Sequence, residues 1–597
     1  MFFFTENDWL NRGIDNELHR FFLLVWKEIF DELTPDTWQV RTSNILTVLR
    51  ELIQTVEIAT EFDGYKYNIP VLLNEAKEML GVDPVIAKYF PFVTAYLPSA
   101  TGPDSFPKDL SALGHTCTVI LGALRDYHKH AISELRELLL PGNEKEKGLI
   151  CRLAMAFAVE RLGQGYSIEY LRRGVDCSIR AARLSFIEKL DQFAASCTGE
   201  NIRYMCRFSI SWPGSIPPAG FHGLGITLDR RPAEPMTEVQ RTFYGTRSNE
   251  NDVFAVFTVD AKDSYSASRG GEERLANLFA VVNSSVVQGR FNIKGTHSIV
   301  AAPDGPERLI KIIRSRNPDV SNDADSAHRV GELLDLERTL QADDWDQLIS
   351  ALQYHRLALT AATDEAQLVN LWIALECLVH HRRRSIVEDV CEYAASSIAV
   401  GKVRRIVQNV ADYVGWNWRD SANPNMALFP RSDPKEIHPR DMLDAVMDTK
   451  DGEKINEIYR IIGSSHLTRY RVHLLRKQLL GSSGQAIQML DSHFCHVDWQ
   501  LRRIYRARNH VMHRGKAMLV VPQLNRHLHG YFLTTLKNLV NDLRGNVNWS
   551  IHDALIHRTL LFKHYRKAIE TRSITRAALL DPEAVLFGKS DVRAWEP

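Results

Sequence analysis

Arg508, Asn509 and His513 form an Arg-Asn-x-x-x-His set inside the stretch Trp499–Gly515, closed two residues later by Gly515. A guanidinium, an amide and an imidazole gathered together can handle a phosphodiester without a metal. Histidine moves protons near neutral pH, and arginine keeps its charge and grips a phosphate through two parallel hydrogen bonds. Together they suit cleavage of RNA by its own 2′-hydroxyl, with histidine as proton carrier and arginine stabilising the phosphorane. A helix C-terminus favours the protonated imidazole, while Arg508 and Arg514 oppose it.

The spacing predicts an amphipathic helix over 499–515 with Leu501, Ile504, Tyr505, Val511 and Met512 as its buried stripe and Gly515 as its stop. Asn509 and His513 are four residues apart and share a face. Arg508 points partly away, so its side chain must curl back or meet a second copy of the set across an interface. Arginine and histidine recur at similar spacing at Arg125/His130, Arg431/His438, Arg503/His510 and Arg506/His513. Spacing alone therefore does not separate the set from a solvated basic face. Arg502, Arg503, Arg506, His510 and Arg514 surround it as candidate RNA contacts.

A second, strongly apolar helix is expected over Leu368–Val379. It carries Trp372, Ala374, Leu375 and Glu376 as a Trp-x-Ala-Leu-Glu pattern and runs into His380-His381-Arg382-Arg383-Arg384. Arg382, Arg383 and Arg384 either contact RNA phosphates or complement the helix dipole. Glu376 can orient Arg508 or a histidine, or make an ordinary salt bridge.

Trp-x-Ala-Leu-Glu, followed much later by Arg-Asn-x-x-x-His-x-Gly and a long helix expected over about 523–542, resembles the HEPN family, and within it the Apea-like HEPN proteins of bacteria. The resemblance covers roughly the C-terminal 240 residues. It implies an all-helical, usually dimeric domain acting as a metal-independent endoribonuclease, in phage defence or abortive infection. It departs from the pattern in the long segment between the two motifs. Some members of the family bind RNA or nucleotides without cutting.

At 597 residues the chain exceeds one compact core, and its 45% hydrophobic and 24% charged residues are those of an ordinary globular protein. The formal net charge is zero, which excludes a wholly basic nucleic-acid binder. Residues 481–597 nevertheless hold 17 Lys and Arg against 9 Asp and Glu, and nine of the 22 histidines. Eight scattered cysteines form no CxxC pair and read as free thiols of a reducing cytosol. The N-terminus has neither the basic start nor the long apolar core of a signal peptide, and no apolar run is long enough to span a membrane.

Helices are expected at Asn16–Leu33, Ser43–Ala59, Val119–Leu139, Gly148–Leu162 and Ile168–Ala195, with a proline-rich connector from Phe90 to Pro107. Strands are expected at Ile202–Trp212, Gly223–Leu228, Val253–Val259 and Phe291–Val300, with a helix over Glu272–Val282. Asp319–Asp325 superficially resembles a calcium loop, but Ala324 and Val330 replace its glycine and closing glutamate. His493, Cys495 and His496 lack a second ligand pair for zinc. P-loop, HExxH and GxSxG signatures are absent. Arg125–His130 offers a second Arg-polar-x-x-x-His set, without an Ala-Leu-Glu helix or a following glycine.

The expected protein is mainly α and multi-domain. It comprises a helical region 1–200, a small α/β or β-rich module 201–305, a polar linker 306–330, and a HEPN-like helical domain 331–597 with an irregular insertion at about 417–440, read as a lid or interface arm or, in preference, a flexible surface excursion. Arg508, Asn509 and His513 are expected to cut RNA with no metal or cofactor, in a cytoplasmic homodimer or higher homo-oligomer answering a phage-derived trigger or regulatory partner. The alternatives are a non-catalytic RNA- or nucleotide-binding sensor on the same scaffold, and a partner-binding helical protein with no RNA affinity.

Overall fold

Asn16 caps the helix that begins at Glu17 by accepting hydrogen bonds from the backbone N–H groups of Leu18 and His19. Helix α1 (Glu17–Ile29) buries Leu18, Phe21, Phe22, Val25 and Trp26. The computed structural model describes residues 9, 14, 16–30, 43–61, 66–98, 109–179, 184–211, 225–230, 236–245, 253–285, 291–312, 331, 333–361, 363–379, 385–420, 425–433, 436–450, 452–463, 465–515, 521–546 and 548–582. The chain is mainly helical with a small antiparallel sheet. Residues 1–157, 320–358 and 364–597 form one compact unit, and 158–319 with 359–363 form another. Among the described residues no helix is long and apolar enough to cross a membrane.

In the larger unit, α2 (Ile45–Glu61) packs on α3 (Asn68–Val82), which leads into α4 (Pro84–Tyr89), and on α5 (Leu110–Ala123). The single helix expected over 119–139 is two, α5 and α6 (Tyr127–Leu138), broken at Leu124–Asp126. Past the break, the buried Tyr127 donates its hydroxyl to Asp83, which also caps α4. Helix α7 (Lys147–Gly163) crosses the division between the units.

The smaller unit has α8 (Ile168–Ile179), α9 (Phe186–Ser196), β1 (Ile202–Ser211), β2 (Thr227–Asp229), α10 (Glu238–Tyr244), β3 (Val253–Ala261), α11 (Ser264–Ser285), β4 (Asn292–Ala301) and β5 (Arg308–Lys311). The sheet order is β2-β3-β1-β4-β5, with antiparallel pairings throughout. Strand β1 alternates, burying Tyr204, Cys206, Phe208 and Ile210. Gly271 of α11 lets that helix lie close, since a Cβ there would fall 2.7 Å from the Phe208 ring. Strand β5 corrects the polar linker: Arg308–Lys311 pairs with β4 and buries Ile310. Residues 313–330 of the linker, including Asp319–Asp325, lie outside the described residues.

The larger unit continues with α12 (Ala342–Leu359), α13 (Asp364–Val379), α14 (Ile386–Val400), α15 (Lys402–Asp420), α16 (Pro439–Val446), α17 (Glu453–Ile462), α18 (His466–Leu480), α19 (Ser483–Arg514), α20 (Val521–Gly545), α21 (Ile551–Glu570) and α22 (Arg576–Leu580). Two cores form here. Leu371, Trp372, Leu375, Val390, Leu501, Ile504, Leu528, Phe532 and Leu555 fill the first, joining α13, α14 and α19–α21. Val407, Met442, Leu443, Ile458, Val472, Leu490 and Tyr565 fill the second, which the segment between the two sequence motifs largely builds. The stretch at 417–440 is not a loose excursion in its described part. Phe429 and Ile437 are fully buried in the second core, and Asp441 accepts from the Arg431 backbone and side chain and from the Ser432 hydroxyl.

Candidate active site

The motif helix is longer than its signature. Helix α19 runs from Ser483 to Arg514, and Gly481 and Ser482 mark the corner where α18 ends and α19 begins. At 1.5 Å per residue it is about 48 Å long. Ala486, Met489 and Leu490 sit in the second core, whereas Val497, Leu501, Ile504 and Ala507 sit in the first. Gly515 stops it with φ of 63°, its N–H donating to the Val511 carbonyl. The buried stripe ends early, because Met512 is 55% exposed.

Helix α13 packs directly against α19. Trp372, Ala374 and Leu375 are fully buried, and the Trp372 ring lies 5.4 Å from that of Tyr505, tilted by 45°. The Glu376 carboxylate accepts the Trp372 indole N–H one turn away, and among the described residues it neither orients Arg508 or a histidine nor makes a salt bridge.

Of the three chemical candidates, two are joined. Arg508 Nη1 donates to Asn509 Oδ1 at 2.8 Å, with Asn509 buried and Arg508 half-buried. His513 is exposed and makes no hydrogen bond or ion pair with a described residue. Among the described residues no hydrogen bond joins the imidazole to the guanidinium–amide pair within one chain.

The surrounding arginines divide sharply. Arg503 and Arg506 are not an RNA-facing surface, since they are 1% and 6% exposed. Arg503 Nε donates to Glu51 Oε1 at 2.6 Å, its Nη2 to Glu75 Oε1 at 2.8 Å and its Nη1 to Gln500 Oε1 at 3.2 Å. Arg506 Nη2 donates to Glu51 Oε2 at 3.0 Å. Burial pulls the Arg506 pKa down despite Glu51. Arg502 is half-buried and paired with Asp498 at 3.0 Å, and His510 is half-buried. Arg382, Arg383 and Arg384 and the side chain of Arg514 lie outside the described residues.

Glu51 and Glu75 escaped notice in the sequence, yet each interrupts an apolar helical stripe, between Val48 and Leu52 and between Leu72 and Ala76. A charge in that position is the available signal that a buried partner awaits it. His527 on α20 was also missed. Burial first, then the charges of Arg526 and Arg503, push its pKa down to about 4. Arg125–His130 does not reproduce the motif geometry: Arg125 lies in the turn before α6, and His130 stacks on Tyr89 with centroids 4.1 Å apart. Among the described residues no group of three or more His, Cys, Asp or Glu is placed to hold a metal ion. No family model, curated protein or solved structure matches this chain.

Proposed function

We propose that residues 331–597 form a HEPN-type domain and that the protein is an endoribonuclease of antiphage defence, acting as a homodimer in the cytoplasm. The observation that carries this reading is the Arg508–Asn509 hydrogen bond at the last turns of α19, on a helix packed against the Trp372/Glu376 helix, with His513 exposed one turn beyond. His513 takes the proton of a ribose 2′-hydroxyl. The 2′-oxygen bonds to the adjacent phosphorus, the bond from phosphorus to the 5′-oxygen breaks, and the same histidine of a second copy returns a proton to the leaving oxygen. Arg508, steadied by Asn509, stabilises charge on the phosphorane. The products are a 2′,3′-cyclic phosphate and a 5′-hydroxyl. The exposed Met512 beside His513 suits a face that a second copy covers. Free, buried cysteines also fit this reading: burial pushes the thiols of Cys117, Cys197 and Cys206 up to about 12, which leaves them inert. The remaining helices and the sheet unit would receive the trigger.

That Arg508 bonds Asn509, while His513 makes no hydrogen bond with a described residue, favours a second reading, a sensor that binds RNA or a nucleotide without cutting. Incubating total RNA with the wild type and with His513→Ala, in EDTA, and mapping 5′-hydroxyl ends decides between them. New ends that vanish in the variant support the nuclease. Salt-sensitive binding without new ends supports the sensor.

A further inference from the structure

The N-terminal helices reach the motif helix through charge. Glu51 of α2 spreads one carboxylate over two arginines of α19, Oε1 on Arg503 and Oε2 on Arg506, while Glu75 of α3 takes the other edge of Arg503. All four side chains are at most 6% exposed. Buried ion pairs are a poor way to gain stability compared with apolar packing, so their best-attested use is to fix one arrangement against alternatives. Among the described residues Arg506 donates to Glu51 alone, with its Nε and Nη1 unpartnered. Arg506 and His513 are seven residues apart, two helical turns, and so share a face to within about 20°. A roll of α19 that re-aims His513 also turns Arg506, on the same face, relative to Glu51.

We propose that Glu51 is a positioning residue for the Arg508/Asn509/His513 site, acting through Arg506 to set the roll of the helix end, so that the N-terminal helices govern the site. This rests on the nuclease reading and adds the element that regulates it. Full-length wild type, Glu51→Gln and Arg506→Met are compared on a labelled ribo-oligonucleotide spanning a site that the wild type cuts. In parallel the imidazole resonance of His513, assigned with His513→Gln, is recorded in 13C-histidine-labelled protein. Arg506→Met keeps the side chain long but removes its charge and donors, and leaves Glu51 paired with Arg503, so it serves if Glu51→Gln does not fold. Expected is a fall in kcat of at least about tenfold with KM within about twofold, together with a moved His513 resonance. A folded Arg506→Met with wild-type kcat and an unmoved resonance overturns the proposal. If the wild type cuts no RNA, the nuclease reading fails, and the His513 resonance still decides whether Glu51 sets the helix end.

Discussion

Trp372 and Tyr505 meet with their rings 5.4 Å apart, and that contact brings the Trp-x-Ala-Leu-Glu helix onto the helix that ends in Arg508, Asn509 and His513. Replacing Trp372 with alanine empties a fully buried site and should lower stability by about 3–5 kcal/mol. Trp372→Phe keeps most of the ring but loses the indole donor to Glu376, and should cost on the order of 1–3 kcal/mol. Urea unfolding of both variants checks the order.

His513→Ala should reduce RNA cleavage by about 10²–10⁴-fold, the range for a lost general acid–base. Because the side chain is exposed and makes no bond to a described residue, the melting temperature should stay within a degree or so, since surface changes of this kind are worth at most about 0.5 kcal/mol. A variant that keeps wild-type counts of 5′-hydroxyl ends removes His513 from the mechanism.

Asn509→Ala separates two effects. Loss of the Oδ1 acceptor leaves Arg508 Nη1 without its partner and should cost about 1 kcal/mol of stability. Release of the guanidinium should cost more in rate, on the order of 10²-fold. Cleavage assays beside thermal melts read both, and equal loss in the two would point to unfolding alone.

Stability should fall with acid in a defined window. Burial, then His529, pushes the His355 pKa down to about 4, and His527 is held equally low, against 6.5 for an ordinary histidine. The unfolded chain takes up protons on these rings from about pH 6.5 downward, whereas the folded chain resists until about pH 4. The unfolded state thus binds more protons within that window, so stability is lost as pH drops through it and is level above about pH 7. Urea midpoints measured across this range should show a shallower slope for His355→Phe combined with His527→Gln. An unchanged slope would remove these two histidines as the cause.

Phe429→Ala should destabilise the protein by about 3–5 kcal/mol, because the ring is fully buried in the second core. A change below about 0.5 kcal/mol, as at an exposed loop, would contradict that packing.

What was readable in the residues followed from periodicity. Apolar spacing located α13, α19, α20 and the alternating strand β1, and Gly515 marked the helix stop through its need for positive φ. Periodicity does not report partners. It marked Arg503 and Arg506 as a basic face because their carboxylates come from α2 and α3, far away in sequence and brought near only by the fold. The prolines at 424, 430, 434 and 439 suggested slack chain, yet Phe429 and Ile437 between them anchor it. The short strand β5 was hidden for a similar reason: only the neighbouring strand reveals that Arg308–Lys311 is paired. The break at Leu124–Asp126 has no mark in the apolar spacing; just past it Tyr127 donates its hydroxyl to Asp83, a partner that only the fold brings near.

Helix α19 lies in two cores of the larger unit, its first turns among α15–α18 and its last among α13, α14 and α20. It works as a beam common to two rooms: neither can be taken down with the other left standing. Melting should therefore pass through the pair as one event, and cutting out residues 402–480 to obtain a minimal bundle should yield an insoluble chain with Ala486, Met489 and Leu490 laid bare.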